Sequence, residues 1–387
     1  MKSRTIIWSC TALAGTAFAA AAVLSACAEN GDAYYKPIAK SDYPAADGPG
    51  ESLAPGEIES AARIAAIIEA HLRRIYKAEP IRRDAHPKAH GCVEANFAVR
   101  SDLPDALRKG IFATAGAYRA IVRFSNGNED PSRADDQPDS RGMAVKLLDP
   151  PGQPLTVDPR GAPSQDFIMI NYPKFLVGDP DDYRKLISFL DADTKPTTAL
   201  QPVLALWSIG IKGAISAASA SSSHIDNPLN TRYWSMVPYQ LGNGPEAKAV
   251  KYSAAPCEAK PVVLPDGTPD PNYLRHALAA TLAPGGQGAC MKFMVQPRTS
   301  DAMNVEDSRD EWPEDKAPFI EAATLTFAGQ TFDTPEQNAA CEALSYSPWH
   351  ALPEDKPLGA VNRMRKAIYE RISAVRRATE AETGETK

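Results

Sequence analysis

The 387-residue sequence lacks several patterns that would assign a function directly. Its six cysteines show no CxxC spacing, which argues against a zinc site. It contains no nucleotide-binding motif, no internal repeat and no sustained stripe of lysine and arginine. The formal net charge of −6 gives no long-range attraction to nucleic acid, so no nucleic-acid partner is expected. Strands and helices do not alternate in βαβ order, which argues against a parallel sheet.

Residues 1–26 are predicted to be a signal peptide of the lipoprotein type. Lys2 and Arg4 precede an uncharged apolar segment, and LSAC at Leu24–Cys27 resembles a bacterial lipobox. Cleavage at such a site leaves Cys27 at the N-terminus carrying lipid. An uncleaved anchor is the alternative, because the segment is nearly long enough to span a membrane. The sequence therefore predicts an exported, periplasmic lipoprotein of a Gram-negative bacterium, attached to the membrane through Cys27.

Residues 27–57 are predicted to be a flexible tether, because they are rich in Pro, Gly and Ala and show no periodicity. The following segment, 58–380, is predicted to form the folded domain. Four cysteines remain in that domain, where an oxidising compartment permits disulfides. Four cysteines allow three pairings, and the sequence leaves the choice open among Cys92, Cys257, Cys290 and Cys341.

The hydrophobic pattern predicts an α+β fold. Eight short stretches have strand periodicity and are separated by Pro, Gly and Asp: 92–99, 118–125, 142–148, 166–171, 232–242, 249–255, 290–296 and 322–332. Four stretches have helical periodicity: 56–76, 179–192, 198–220 and about 362–382. These elements predict an eight-stranded antiparallel β-barrel with an N-terminal helix and additional α-helices.

Three stretches carry information beyond periodicity: 82–99, 122–148 and 345–377. They read RRDAHPKAHGCVEANFAV, VRFSNGNEDPSRADDQPDSRGMAVKLL and SYSPWHALPEDKPLGAVNRMRKAIYERISAVRR. Together they resemble the haem catalase family, in particular its short, catalase-related branch. The resemblance extends over residues 56–377, and the spacing between VRFS and DSRGMAVK is its most specific part. It implies a catalase-like barrel that binds haem, with haem b as the expected form.

The resemblance implies a distal histidine at the start of the first strand. His86, Lys88 and Gly91 match the HxKxxG pattern of catalases. His90 is the competing candidate, because residues four apart in an extended segment point to the same face. An imidazole suits this role, since it can take a proton from one peroxide oxygen and return it to the other. The serine of VRFS, Ser125, matches the residue that fixes the tautomer of the distal histidine.

The same resemblance assigns three arginines to the haem propionates. Arg83, Arg123 and Arg376 stand at the matching positions, and guanidinium groups bind carboxylates in a bidentate manner. Arg141 in the DSRG turn is predicted to brace the structure instead.

The stretch RMRKAIY places Arg365 four residues before Tyr369. On a helix such residues are neighbours, with Cβ atoms roughly 5–6 Å apart. In isolation the pair could be a solvated arginine and a core tyrosine. Catalases, however, carry their proximal ligand as RxxxY after a Pro-rich segment, as here. The resemblance therefore implies that Tyr369 is the iron ligand and that Arg365 keeps its phenolate ionised.

One position departs from the catalase pattern. Catalases use a distal asparagine in a GNNTP-type segment, whereas the matching stretch here is GAPSQDFIMINYP, 161–173. Ser164 or Gln165 falls near that position, and Asn171 lies too far along to replace it. Loss of that donor should weaken peroxide disproportionation more than peroxide cleavage.

The sequence thus predicts a haem peroxidase that reduces hydrogen peroxide or organic hydroperoxides with a small electron donor. One alternative is isomerisation or dehydration of fatty-acid hydroperoxides, as in some catalase relatives. A second alternative is a haem-binding lipoprotein without useful turnover. A homo-oligomer is compatible with the sequence, which does not determine the physiological substrate or electron donor.

Overall fold

The computed structural model describes residues 29–77, 80–190, 219 and 224–383. Within these ranges the strands are β1 Ala89–Val99, β2 Gly116–Asn126, β3 Arg141–Leu148, β4 Ser164–Ile170, β5 Tyr233–Trp234, β6 Tyr239–Leu241, β7 Lys248–Pro256, β8 Ala289–Pro297 and β9 Ile320–Phe327. The α-helices are α1 Glu29–Asp32, α2 Glu57–Ile75, α3 Pro180–Leu190, α4 Tyr273–Thr281, α5 Pro335–Ala343 and α6 Ala360–Thr383. Short 3₁₀ helices lie at Asp105–Leu107, Gly110–Phe112, Pro228–Asn230, Gly244–Glu246 and Pro353–Asp355.

Eight of the strands form a closed antiparallel barrel. Strands β1 to β5 pair in sequence order, and β9, β8 and β7 continue from the other edge of β1. The ring closes where Tyr233 and Trp234 of β5 pair with Ala254 and Ser253 of β7. Strand β6 lies outside this ring and pairs with β7. The predicted eight-stranded barrel with added helices is therefore confirmed.

Alternation along the strands separates an apolar interior from an outer face that carries the polar residues of interest. In β2, Val122 and Phe124 are fully buried in the core, while Arg123 and Ser125 point to the opposite face. The interior is rich in aromatic rings: the ring centre of Phe293 lies between 4.8 and 6.2 Å from those of Phe97, Phe112, Phe167 and Tyr252. Such pairs each contribute about 0.5–1.5 kcal/mol beyond burial of their area.

Helices α2, α3 and α6 pack together outside the barrel. The apolar stripe of α2 buries Ile64, Ile68 and Leu72, one turn apart, as its period predicts. Ile75 is 47% exposed, because it is the last residue of the helix. No helix within the described residues is long and apolar enough to cross a membrane.

Several predicted elements differ in the structure. The strand predicted over 232–242 is divided into β5 and β6 because Met236 adopts a positive φ of 62°. The helix predicted over 198–220 lies, apart from Ser219, outside the described residues. Helix α4 was not predicted, nor was α5, although the Thr334–Gln337 capping box marks the start of α5.

The segment predicted to be a flexible tether instead packs on the body of the protein from Glu29 onwards. Tyr43 is 6% exposed and its hydroxyl donates to Glu57 at 3.0 Å. The fully buried Arg363 of α6 binds Glu51 at 2.6 Å and Glu57 at 2.7 Å. It also binds Glu306 at 2.9 Å. The composition of residues 27–57 predicted a segment without contacts, because the pairing of its carboxylates with Arg363 exists only in the tertiary structure.

The four cysteines of the domain form two disulfides. Cys92 of β1 is joined to Cys341 of α5, and Cys257 is joined to Cys290 of β8. The structure therefore selects one of the three pairings that the sequence left open. The first bond attaches α5, which the sequence did not predict, to the outer face of the barrel.

Candidate active site

The side chains of His86 and Ser125 form a pair at the outer face of the barrel. Nδ1 of His86 lies 3.1 Å from Oγ of Ser125, the serine at the end of β2. Gly142 of β3, which pairs with Ser125, makes room for the ring. A Cβ at Gly142 would lie 2.5 Å from Nδ1 of His86 and 2.7 Å from Oγ of Ser125. Only glycine therefore permits this approach of the imidazole to the sheet.

The backbone of His86 is held in an unfavourable conformation. Its φ is +63°, a value that costs a non-glycine residue of order 1 kcal/mol or more. Its amide donates to the carbonyl of Gly127 at 3.2 Å, and its carbonyl accepts from Nη2 of Arg123 at 2.8 Å. These two bonds fix the imidazole beside Ser125.

Burial and the nearby guanidinium of Arg123 lower the pKa of His86 to about 4, with smaller contributions from Arg365 and Arg83. The ring is therefore neutral at pH 7 and can accept a proton. Arg365, in the second turn of α6, is among the cations that lower the pKa of His86, which indicates that this part of α6 lies near the His86–Ser125 pair.

His90, the competing candidate, lies in a different environment. It is 1% exposed, and its Nδ1 is 3.8 Å from Oδ2 of Asp135. Neither ring nitrogen has a hydrogen-bond partner among the described residues. Asp135 is itself bound by Lys88 at 2.7 Å and by Asn126 at 2.9 Å. His90 is thus part of a buried cluster around Asp135, in the loop that precedes β3. His86, and not His90, is the histidine that pairs with Ser125.

Arg365 and Tyr369 face one another on α6. Nη2 of Arg365 donates to the phenol oxygen of Tyr369 at 3.0 Å, and Nη1 donates to Oδ1 of Asn362 at 3.3 Å. Arg365 is 7% exposed and Tyr369 is half-buried. Burial acts to lower the pKa of Arg365, but Tyr369 and Tyr239 act against it and the net shift is upward. The pair therefore combines a phenol oxygen with a permanent buried cation.

Arg83, Arg123 and Arg376 form a cluster around the single carboxylate of Glu342. Arg83 binds Glu342 at 2.6 Å and Arg376 binds it at 3.1 Å. Arg376 also donates to the carbonyl of Glu342 at 2.8 Å. Glu342 directly follows Cys341, so the disulfide to β1 positions this carboxylate. The three arginines were predicted from the sequence, whereas Glu342 was not.

The cluster carries more positive charge than its protein partners neutralise. Burial and the neighbouring Arg83 lower the pKa of Arg123 to about 9 and that of Arg376 to about 10. The buried Nε atoms of Arg123 and Arg376 have no hydrogen-bond partner among the described residues. Three guanidinium groups against one carboxylate, with donors left over, fit a ligand that carries two carboxylates.

The side chains near the expected distal amide have other partners. Oγ of Ser164 lies 3.0 Å from Nζ of Lys146 and 2.9 Å from Asp166. Gln165 alternates with Asp166 and faces the interior, where its Oε1 accepts from the amide of Leu352 at 2.8 Å. Asn171 accepts from the backbone amide of Arg141 at 2.7 Å. None of these contacts places an amide donor beside His86.

A buried ionic network beside the site was not predicted from the sequence. Asp166 accepts from Lys146 at 2.8 Å and pairs with Nδ1 of His350 at 2.9 Å. Lys146 lies 4.9 Å from the ring centre of Tyr346. This network attaches the Pro-rich segment before α6 to strands β3 and β4. Arg141 donates to the carbonyl of Asp135 at 2.6 Å, which confirms its predicted bracing role.

Solved structures similar to this chain include three catalases. A fungal catalase matches with a TM-score of 0.59 and 16% identity over 89% of this chain and 65% of its own. A bacterial catalase matches with a TM-score of 0.56 and 16% identity over 89% and 64%. Catalase A from Saccharomyces cerevisiae matches with a TM-score of 0.55 and 16% identity over 88% and 71%.

The chain thus spans less than two thirds of the fungal and bacterial catalases. At this identity the likeness shows a catalase-like fold. No family model matches the sequence, and no curated protein matches it.

Proposed function

We propose that the protein binds haem at the outer face of the barrel and reduces peroxides. One observation carries the proposal: the His86–Ser125 pair and the Arg365–Tyr369 pair lie near each other, since Arg365 contributes to the lowered pKa of His86. A general base and a phenol ligand are the two groups that this chemistry requires from the protein. Tyr369 is proposed as the iron ligand, because its phenol oxygen accepts a hydrogen bond from the buried guanidinium of Arg365.

The arginine cluster would hold the haem carboxylates. Arg83, Arg123 and Arg376 offer more donors than Glu342 and the neighbouring carbonyls use. Haem b carries two propionates and needs no covalent attachment to the chain, so it is the proposed form. When bound, it supplies a redox-active iron whose anionic ligand favours cleavage of the O–O bond.

The protein residues move the protons. If Nδ1–H of His86 donates to Ser125, Nε2 is left as a proton acceptor. Because its lowered pKa keeps His86 neutral at pH 7, it can take the proton of one peroxide oxygen and return it to the other. Ser125 orients the ring and Arg123 fixes its backbone. Arg365 stabilises the phenolate of Tyr369.

The balance of activities is proposed to favour peroxidase over catalase. Reduction of a hydroperoxide to an alcohol and water consumes two electrons and two protons, which a small donor supplies. Disproportionation requires a second peroxide to be held and oxidised, and the segment 164–171 supplies no amide donor beside His86. Hydrogen peroxide and organic hydroperoxides are the proposed substrates, and a fatty-acid hydroperoxide isomerase is the alternative.

The protein is further proposed to act outside the cytoplasm as a lipoprotein anchored at Cys27. The signal-like residues 1–26 and the LSAC stretch support this, and two disulfides suit an oxidising compartment. Lipid chains at Cys27 would supply the multiple signals that stable membrane attachment requires. Intact mass spectrometry of the membrane-bound protein tests this, since an unlipidated N-terminus would contradict it.

The function is tested with purified full-length protein titrated with haem. We expect a saturable absorption change, then peroxide-dependent oxidation of a dye donor that is lost in His86→Ala. Turnover of a fatty-acid hydroperoxide without added donor would select the isomerase alternative. Haem binding without either activity would indicate a non-catalytic haem-binding protein. Absence of haem binding would refute the proposal.

A further inference from the structure

The chain packs on α2 from Gly31, only four residues after Cys27. A Cβ at Gly31 would lie 2.9 Å from Cγ1 of Ile67, so α1 lies directly on α2. Asp32 also binds Arg63 of α2 at 3.3 Å. A fully extended chain spans at most about 3.6 Å per residue. The four steps from Gly31 back to Cys27 therefore cover at most about 14 Å, whatever their conformation.

Two tyrosines continue this attachment. The ring centre of Tyr34 lies 5.6 Å from the guanidinium carbon of Arg73, and the carbonyl of Tyr34 accepts a hydrogen bond from Arg371 of α6. The ring centre of Tyr35 lies 4.9 Å from the guanidinium carbon of Arg63. Cation–π contacts and a hydrogen bond thus hold this segment on α2 and α6. The segment cannot act as a spacer between a lipid anchor and the folded body.

The surface formed by residues 31–40 and the outer side of α2, called the N-terminal face below, is locally basic in an acidic protein. The whole chain has a formal net charge of −6. In contrast, the exposed carboxylates of the N-terminal face are those of Asp32 and Glu59. Five cations of this face are exposed or partly exposed: Lys36, Lys40, Arg63, Arg73 and Arg74. Anionic lipid headgroups attract such a face over about one Debye length, roughly 8 Å at physiological ionic strength.

Tyr34 and Tyr35 add the aromatic groups that are typical of a membrane interface. Both side chains are partly exposed. Tyrosine is enriched at the level of the headgroups, because its ring is apolar and its hydroxyl is polar. Lysine and arginine cover apolar surface with their stems and extend their charged ends into water. Two tyrosines beside five cations therefore match the chemistry of an anionic bilayer surface.

We propose that the N-terminal face is the surface with which the protein rests on an anionic lipid bilayer. The inference rests on the proposed lipid at Cys27 and does not involve the proposed haem chemistry. Lipid chains hold Cys27 at the bilayer, and the short link then keeps Gly31 within about 14 Å of the headgroups. The protein is thereby held in one orientation and does not stand clear of the membrane on a long tether.

Cross-linking to lipid tests this orientation. Full-length protein is purified from membranes and incorporated into vesicles of phosphatidylethanolamine and phosphatidylglycerol. A short reagent with two amine-reactive ends joins a lysine to the amine of phosphatidylethanolamine when the two are close. For each lysine, mass spectrometry gives the ratio of the lipid adduct to the adduct whose second end has been hydrolysed. This ratio corrects for differences in reactivity between lysines.

Lys292 and Lys316 are the matched internal controls, because their side chains are 44% and 72% exposed. Lys292 belongs to β8, which lies across the barrel ring from β3. Helix α2 lies beside the loop between β2 and β3 instead, since His71 is 3.3 Å from Glu129. The control on β8 therefore reports on the side of the barrel that faces away from α2.

We expect the ratio at Lys36 and Lys40 to exceed that at both controls by at least about tenfold, because a domain of about 330 residues has a radius of gyration of about 20 Å and its far side lies beyond the reach of a short reagent. Equal or higher ratios at Lys292 and Lys316 in the lipidated protein would overturn the proposed orientation alone. The intact mass of the same preparation identifies the other failure. Protein without lipid at Cys27 would refute the proposed anchoring and this inference with it.

Discussion

Arg365 donates a hydrogen bond of 3.0 Å to the phenol oxygen of Tyr369, one helical turn further along α6. The guanidinium carbon also lies 5.2 Å from the centre of the tyrosine ring. Oδ1 of Asn362, one turn earlier, accepts a hydrogen bond from Nη1 of Arg365. Asn362 and Tyr369 therefore orient the guanidinium from both sides along the helix. This arrangement directs a buried guanidinium at the phenol oxygen of Tyr369, so the first prediction concerns that one oxygen atom.

Replacing Tyr369 by Phe should weaken haem binding by at least about tenfold, because the ring is kept while the ligand oxygen is lost. Titration with haem, followed by absorbance, measures the change, and far-ultraviolet circular dichroism verifies the fold. Tyr183→Phe is the control, since its hydroxyl is near Arg365 but is not proposed as a ligand. Unchanged affinity and spectrum in the Tyr369 variant would exclude it as the iron ligand.

Replacing His86 by Ala should slow peroxide reduction by at least about 10²-fold while haem remains bound, since one general acid–base group contributes about 10²–10⁴-fold. His90→Ala should retain most of the activity, because its ring contacts the buried Asp135 and not Ser125. Stopped-flow mixing of each holoprotein with hydrogen peroxide gives both rates. A larger loss in the His90 variant would move the proton-transfer role to that residue.

Replacing Arg123 by Met should lower haem affinity by about 10-fold or more, as expected for loss of a charge-assisted hydrogen bond. The haem-free variant should nevertheless be at least as stable as the wild type at neutral pH. The reason is that burial and the charges of Arg83 and Arg376 disfavour the protonated Arg123. Urea unfolding measures this stability, with the exposed Arg119 of β2 replaced by Met as control. Marked destabilisation by Arg123→Met would contradict charge crowding in the cluster.

Asp355 should make the protein less stable as pH rises. Burial raises its folded-state pKa to about 8, whereas the unfolded value is about 3.9. The unfolded state therefore binds fewer protons between these values, and stability falls by about 1.4 kcal/mol per pH unit from this group. Asp355→Asn removes that loss, so its stability relative to wild type should increase from pH 5 to pH 8. Urea unfolding at both values tests this, with Glu354→Gln as control. A pH-independent difference would contradict a buried, protonated Asp355.

Replacing Arg363 by Met should destabilise the fold by about 3–5 kcal/mol, since it leaves three carboxylates without their buried partner. The segment 29–57 should also become sensitive to protease under native conditions. Lys366→Met, which removes a peripheral pair with Glu370 on the same helix, should change stability by less than about 1 kcal/mol. Resistance of the segment to protease in the Arg363 variant would show that other contacts hold it.

The sequence by itself determined the elements whose signal is local. Strands such as β2 and β3 follow from the alternation of apolar residues between turn residues, because the side-chain period of a strand is two. Helices α2 and α6 follow from the 3.6-residue period, and α6 places Arg365 next to Tyr369 whatever surrounds it. The barrel then follows from eight such strands in antiparallel order. The capping box at Thr334 was an equally local signal for α5 that was overlooked.

Only the tertiary structure decided the relationships between residues far apart in the chain. His86 and His90 are equivalent by spacing, but the absence of a side chain at Gly142 admits the ring of His86 beside Ser125. The disulfide of Cys92 depends on the unpredicted α5, which also delivers Glu342 to the arginine cluster. The segment 29–57 has no apolar period, yet Arg363 holds it through the carboxylates of Glu51 and Glu57, which are 312 and 306 residues away. A buried charge is stable only with its partners, and no local pattern records which distant residue supplies them.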